Sequence, residues 1–161
     1  MFEKYGEMSS AEEINKKAEH FKSTGDKDSL IEFAIENGLD KEDAEDFMSG
    51  ELSELTTQLL AAFGKLKVET EDLKPYEIMN DWIEYIRIRC QESEGMAAAV
   101  RRKGKSLKGC IAALLKWSFE NAKEVDKDVM KAAGIKMRCT LGIPGMETAK
   151  RIITDYYMKE E

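Results

Sequence analysis

The chain has 161 residues, of which 42% are hydrophobic and 35% are charged. This length suits one domain with a buried core, and the composition is too apolar for a disordered chain. No apolar run approaches the roughly 20 residues needed to cross a bilayer, and the first residues have neither the basic nor the apolar region of an export signal. We therefore expect a cytoplasmic protein that does not enter a membrane.

The net charge of −7 is distributed unevenly along the chain. Residues 1–50 contain 14 acids and 6 bases, residues 51–100 contain 10 and 5, and residues 101–161 contain 8 and 14. The first hundred residues thus carry −13 and the last sixty-one carry +6. Such an asymmetry affects the choice of partner more than the fold, so it is the first indication of function.

The N-terminal part predicts three short helices that each end at a glycine. Serines followed three residues later by glutamates form a capping box, and glycine adopts the left-handed conformation that ends a helix at little cost. The predicted starts are Ser9 or Ser10, Asp28 or Ser29, and Asp40, and the predicted ends are Gly25, Gly38 and Gly50. We expect these helices to pack as a small bundle.

The middle of the chain predicts a short helix, an extended connection and a long helix. Ser53 is the predicted cap of the short helix, which ends at Gly64, and residues 65–74 form the connection. Pro75 suits the first position of the long helix. The apolar stripe of that helix consists of Met79, Trp82, Ile83, Ile86 and Cys90.

The C-terminal part predicts four helices with polar or glycine-rich breaks between them. They cover residues 95–102, a stretch capped by Ser106, a short stretch from an Asp126 cap to Gly134, and residues 146–158. In the Ser106 helix, Leu115 and Phe119 are assigned to the inner, apolar face. Residues 139–145 are predicted as a turn, because paired glycines around a proline oppose both helix and strand.

Together these elements predict an all-α fold, a compact bundle of about eight short to medium helices with little or no sheet. The bundle forms one domain, residues 1–161, with an acidic helical subregion at residues 1–66. The main helical core covers residues 75–158, and its C-terminal part is basic. Three widely spaced cysteines, an odd number, predict reduced thiols rather than disulfides.

No pattern in the chain predicts a catalytic, metal or cofactor site. His20 is the only histidine, and no serine or cysteine near it has the setting of a nucleophile. The acidic run at residues 40–46 lacks the turn glycine and final glutamate of an EF-hand calcium loop. Residues 103–106 resemble the end of a phosphate-binding loop, but Ala99 stands where that loop needs glycine. We therefore predict a protein without enzyme activity, metal or cofactor.

Two sets of charged residues are candidates for partner binding, although each can also be read as a solvated helix surface. The acidic candidates are Asp40, Glu42, Asp43, Glu45, Asp46, Glu69, Glu71 and Asp72. The basic candidates, for phosphate or an acidic protein surface, are Arg87, Arg101, Arg102, Lys103, Lys105 and Lys108. No aromatic residue lies among these bases, which argues against stacking on single-stranded nucleic acid.

Several stretches of the chain together resemble a known family. They are residues 73–79 (LKPYEIM), 100–110 (VRRKGKSLKGC), 114–119 (LLKWSF), 140–145 (TLGIPG) and 149–153 (AKRII). Over about residues 9–158 the chain resembles the PcfK-like proteins of mobile elements in Firmicutes, some of which are classed as type II-A anti-CRISPR proteins. The resemblance implies a non-enzymatic inhibitor in a bacterial cell that binds the RNA-guided effector nuclease and prevents productive engagement or cleavage of DNA.

The charge asymmetry favours one route of inhibition. The nuclease holds its heteroduplex in a positively charged channel, so an acidic segment fits there as a mimic of phosphate. We expect residues 40–46 and 69–72 to make this contact, with or without guide RNA. The alternative is an accessory protein of a conjugative or phage element, whose bases at residues 101–108 bind nucleic acid while the acidic part binds a protein. Either protein is compatible with a homodimer.

Overall fold

The computed structural model describes residues 1–160, and this part of the chain folds into nine α-helices and one two-stranded antiparallel ladder. The elements are α1 Ala11–Ser23, α2 Lys27–Glu36, α3 Lys41–Ser49, α4 Gln58–Leu73, α5 Ile78–Glu92, α6 Glu94–Arg101, α7 Leu107–Glu120, β1 Lys123–Glu124, α8 Lys127–Ala132, β2 Thr140–Leu141 and α9 Met146–Met158. The predicted all-α class is confirmed. None of these helices is long and apolar enough to cross a membrane.

Side-chain caps determine where several of these helices begin. The Ser10 hydroxyl accepts a hydrogen bond from the Glu13 N–H at 3.1 Å, and the Ser106 hydroxyl accepts one from the Gly109 N–H at 3.0 Å. These bonds satisfy backbone donors that have no partner inside the helix. The start of α2 differs from the prediction, because its cap is Asp26, whose carboxylate accepts from the Ser29 N–H at 3.1 Å.

The fourth helix lies elsewhere than predicted. It begins after Thr57, whose hydroxyl accepts from the Leu60 N–H at 3.2 Å, and it continues through Gly64 to Leu73. The predicted cap Ser53 and the predicted extended connection at residues 65–74 are therefore wrong. Two buried charged residues, Lys65 and Glu69, hid the helical period of the second half, because they occupy positions that apolar residues usually fill.

The long helix α5 begins at Ile78, three residues after the predicted start. Lys74 ends α4 in the left-handed conformation, with φ 54°, and Glu77 precedes α5 with φ 49°. Pro75 thus lies in the tight link between the two helices rather than in the first turn of α5. The predicted apolar stripe is largely correct, since Trp82, Ile86 and Cys90 are buried.

Two hydrophobic clusters form the core, and α4 contributes to both. The first cluster joins α1, α2 and α3 through residues such as Ile14, Phe33 and Phe47, with Ala61 of α4. The second cluster joins α5, α6, α7 and α9, with Leu66 of α4. The division between the two clusters falls inside α4, between Ala61 and Ala62.

The segment of residues 115–143, here called the arm, follows a different pattern. It contains the end of α7, β1, α8 and β2, and none of its residues is buried. In the ladder, Lys123 pairs with Leu141 and Glu124 pairs with Thr140. The predicted turn at residues 139–145 is therefore wrong in part, because Thr140 and Leu141 form a short strand.

Candidate functional site

Arg101 does not lie on a basic surface, as was predicted, but in the interior. Its side chain is 1% exposed and donates to the Met8 carbonyl at 2.9 Å, to the Ala61 carbonyl at 3.2 Å and to the Asn37 side-chain oxygen. A buried guanidinium needs such partners, because leaving it unpaired costs several kcal/mol. Desolvation lowers its pKa to about 10. Arg101 therefore joins the N-terminal segment, α2 and α4 to α6, and it is not available to a partner.

Lys105 is a second correction to the predicted basic surface. It is 8% exposed, and its ammonium group lies 5.1 Å from the centre of the Tyr156 ring. Its carbonyl accepts a hydrogen bond from the Lys65 ammonium group at 2.7 Å. The same ammonium group donates to the Arg102 carbonyl at 2.9 Å and pairs with Glu7 at 2.8 Å. The buried side chain of Lys65 thus fixes the backbone of the loop between α6 and α7.

Glu69 was predicted to contact a partner, but it is buried as well. One of its carboxylate oxygens accepts from the Leu107 N–H at the start of α7, and the other has no hydrogen-bond partner. Burial raises its pKa, and the nearby charges of Lys65 and Arg101 only partly offset this effect. Glu69 therefore belongs to a polar layer with the buried Arg101 and Lys65 and the half-buried Glu7, where two cations face two carboxyl groups.

The remaining basic candidates do not form one patch. Lys108 makes an ion pair with Asp72 at 2.7 Å, so a predicted basic contact and a predicted acidic contact neutralise each other. Arg87 is half-buried, and its guanidinium lies 5.7 Å from the centre of the Phe63 ring. Arg102 and Lys103 are exposed in the loop that follows α6. Within residues 1–160, Arg102 and Lys103 are the only candidates that are exposed and make no ion pair, and two such bases are a weak footprint for a phosphate backbone.

The acidic run at the start of α3 is the strongest of the predicted surfaces, and we call it the acidic edge. It consists of Asp40, Glu42, Asp43, Glu45 and Asp46. Ala44 and Phe47 of the same helix are buried, so the helix packs through its apolar side and leaves its carboxylates exposed or half-buried. Within residues 1–160, the only ion pair made by these carboxylates joins Glu45 to Lys41 at 3.7 Å.

Burial and like charges act together on one carboxyl group of the acidic edge. The pKa of Asp43 is raised, first by partial burial and then by the negative charges of Asp40 and Asp46. An approaching cationic group relieves this repulsion, which makes the edge a favourable surface for a positively charged partner. Glu71 is also exposed, but it lies near the end of α4 rather than on the acidic edge.

One feature of the surface escaped the sequence analysis. Leu115 and Phe119, assigned to the inner face of α7, are 66% and 88% exposed, because the core covers this helix only as far as Leu114. Periodicity places apolar residues on a stripe, but it does not show where along the helix the neighbouring elements end. The exposed ends of α7 and β2 therefore form an apolar surface that was not predicted.

His20 is the only histidine of the chain. His20 is exposed in the last turn of α1, and its ring stacks at an angle on Phe21 at 6.0 Å between ring centres. Within residues 1–160, no group of three or more His, Cys, Asp and Glu side chains is arranged to hold a metal ion.

No family model matches the chain, and no curated protein and no solved structure matches it either.

Proposed function

We propose that the protein acts by binding, without chemistry of its own, to a positively charged surface of the RNA-guided effector nuclease of a type II CRISPR system. The acidic edge is the observation that carries this proposal. Five carboxylates occur within seven consecutive residues, and only one of them makes an ion pair within the described chain. In this proposal the bound protein inhibits the nuclease, and it does so in the cytoplasm of a bacterial host.

The electrostatics of the two partners are complementary. The nuclease channel binds the phosphates of its heteroduplex, and arginines read the short motif beside the target. A helix edge that carries closely spaced carboxylates competes for the same cationic side chains. Such a contact speeds association and weakens as salt is added, because exposed charges are screened within about 10 Å at 0.1 M salt.

The test compares nuclease binding by the wild-type protein and by D40N/E42Q/D43N/E45Q/D46N. Asp40 makes no capping hydrogen bond, so its neutralisation removes charge without removing a cap. The matched control removes five exposed charges elsewhere, in E19Q/E54Q/E84Q/E120Q/D155N. Binding is measured with and without guide RNA at two salt concentrations, together with cleavage of target DNA.

We expect the acidic-edge variant to bind at least tenfold more weakly at low salt and to permit DNA cleavage. The control variant should bind and inhibit as the wild type does. The proposal fails if the wild-type protein does not bind the nuclease, or if both variants bind equally well. Circular dichroism establishes that each variant retains its helices.

The alternative function is an accessory protein that binds nucleic acid. Two of the six bases predicted to bind nucleic acid are buried and cannot make that contact. Arg101 and Lys105 are buried, Lys108 is paired with Asp72, and Arg87 lies against an aromatic ring. No observation favours this function over the first one. Undiminished DNA binding by the R102Q/K103Q variant at low salt would show that the loop after α6 has no part in it.

A further inference from the structure

The arm, residues 115–143, contains a recess beside the short helix α8. Its walls come from the end of β1, from α8 and from the segment that leads from α8 to β2. The volume is about 460 Å³, which is large enough for a bulky side chain of a partner. Its apolar lining consists of Val125, Met130, Ile135 and Met137.

Backbone hydrogen bonds fix the chain around this recess. The Ile135 N–H donates to the Met130 carbonyl at 3.0 Å and ends α8 in a Schellman motif. Gly134 has the positive φ, 70°, that this motif requires. On the opposite side, the Val125 N–H donates to the Cys139 carbonyl at 3.0 Å and extends the ladder by one bond. The recess is therefore formed by the fold before any partner arrives.

The hydrophobic core leaves the apolar walls of the recess uncovered. Neither hydrophobic cluster includes a residue between Leu114 and Ala149. Ile135 is 46% exposed and Met137 is 79% exposed. An apolar group that enters the recess removes this surface from water, which is favourable in proportion to the area covered.

The recess is also a positively charged site on an acidic protein. Four bases and one acid line it, and they are Lys127, Lys131, Lys136, Arg138 and Glu124. Arg138 pairs with Glu124, whereas the three lysines make no ion pair within residues 1–160. The recess thus carries +3, and the remainder of a chain of −7 carries −10. An anionic partner is attracted to this recess and repelled by the acidic remainder of the chain.

We propose that the recess binds an acidic segment of another protein, in which carboxylates flank one large apolar side chain. The apolar side chain enters the recess as an anchor, as buried side chains at the centre of protein interfaces commonly do. The flanking carboxylates pair with Lys127, Lys131 and Lys136, which supplies the complementary charge. This site is separate from the acidic edge and does not depend on the nuclease proposal.

Three other occupants fit the recess less well. A small organic anion needs a site that covers about 70–90% of its surface, but the exposure of Ile135 and Met137 leaves the recess open on one side. A nucleic acid strand finds no aromatic side chain on which to stack a base, because none lines the recess. The acidic edge of a second copy has no anchor to offer, since Ala44 and Phe47 of that helix are buried.

The test uses the full chain and a fluorescein-labelled peptide in which one tryptophan is flanked on each side by glutamates. Fluorescence anisotropy measures its affinity at low and at high salt. One control peptide has serine in place of the tryptophan, and a second has glutamines in place of the glutamates. We expect saturable binding of the first peptide that weakens as salt is added, and binding about fivefold weaker or less for each control peptide.

Two pairs of variants locate the contact. K127Q/K131Q/K136Q removes the unpaired lysines of the recess, and K16Q/K27Q/K67Q removes three exposed lysines elsewhere. M137S removes part of the apolar wall, and V129S removes an exposed apolar side chain of α8 that does not line the recess. We expect the recess variants to bind the peptide about fivefold more weakly at low salt and the two controls to bind as the wild type does.

The proposal is overturned if the wild type does not bind the peptide, or if each recess variant binds it as tightly as its control. Equal binding of the serine peptide would show that no apolar anchor enters the recess, and displacement of the peptide by an equal concentration of indoleacetate would assign the recess to a small anion. Either result also overturns the proposal. The acidic-edge variant should bind the peptide as the wild type does, so failure of the nuclease proposal leaves this result intact.

Discussion

Gly38, at the end of α2, and Gly64, in the middle of α4, lie with their backbones in direct contact. A Cβ on Gly38 would overlap the backbone of Gly64, and a Cβ on Gly64 would overlap the Asn37 carbonyl oxygen. Gly38 also has a φ of 74°, which favours glycine. The absence of two side chains thus allows the N-terminal helices to dock closely on α4.

The first prediction concerns this contact. In a helix interior alanine is more favourable than glycine by about 1 kcal/mol, so G64A would stabilise an isolated helix. In this fold we expect it to lower the free energy of unfolding by about 1–3 kcal/mol, because the backbone of Asn37 must move. Urea denaturation measures the change. G145A is the control, since a Cβ at Gly145 meets no atom within 4 Å; an equal effect of both substitutions would contradict the prediction.

The second prediction concerns Arg101. R101M keeps the bulk of the side chain but leaves the Met8 and Ala61 carbonyls and the Asn37 oxygen without their donor. We expect a loss of about 3–5 kcal/mol in the free energy of unfolding, the usual cost of breaking a buried charged network. R102M, at the exposed neighbouring position, should change stability by no more than about 0.5 kcal/mol. A surface role for Arg101 would make the two variants alike.

The third prediction concerns pH and Glu69. Burial raises the pKa of this carboxyl above its ordinary value of 4.5. The folded state therefore holds more protons than the unfolded state between pH 4.5 and the raised value, and the contribution of Glu69 to stability falls as pH rises through that window. E69Q removes this fall while its amide oxygen still accepts from the Leu107 N–H.

The measurement for Glu69 is denaturation by urea at a series of pH values above 4. We expect the stability of E69Q relative to the wild type to increase with pH across the window. E71Q alters an exposed carboxyl two residues along the same helix and should follow the wild-type curve. A constant difference between E69Q and the wild type would show that Glu69 ionises in the folded state as it does in the unfolded chain.

The fourth prediction concerns the thiols. Burial raises the pKa of Cys90 to about 11 and that of Cys110 to about 12. The thiolate is the reactive form, so neither residue should react with a disulfide reagent near neutral pH. The C139S variant should therefore show no reactive thiol until urea is added, when two appear. Rapid labelling of C139S in its folded state would contradict the burial of both residues.

Local chemistry was sufficient to predict much of the secondary structure. The caps Ser10 and Ser106 act on donors three residues away, and α9 has the predicted bounds Met146–Met158. The prediction failed at α4 because the course of that helix depends on contacts with distant segments rather than on local chemistry. Gly64 was predicted to end a helix, but it lies inside α4, where the absence of a side chain allows Gly38 to lie against it.

The candidate surfaces could be predicted only in part. The acidic edge follows from the run of carboxylates at residues 40–46, since a short helix can bury only its apolar side. The basic tract offered no comparable signal that Arg101 is buried. Its partner Met8 is 93 residues away in the chain, and no periodicity reports such a contact.

Residue type and spacing thus determined the all-α class, the caps Ser10 and Ser106 and the division of charge, because these depend on composition and on neighbours within one or two turns. Packing between distant segments determined which charged residues are covered and which apolar residues are not. Arg101 is buried because the N-terminal segment, α2 and α4 all supply acceptors for it. Phe119 is exposed because the hydrophobic core covers α7 only as far as Leu114.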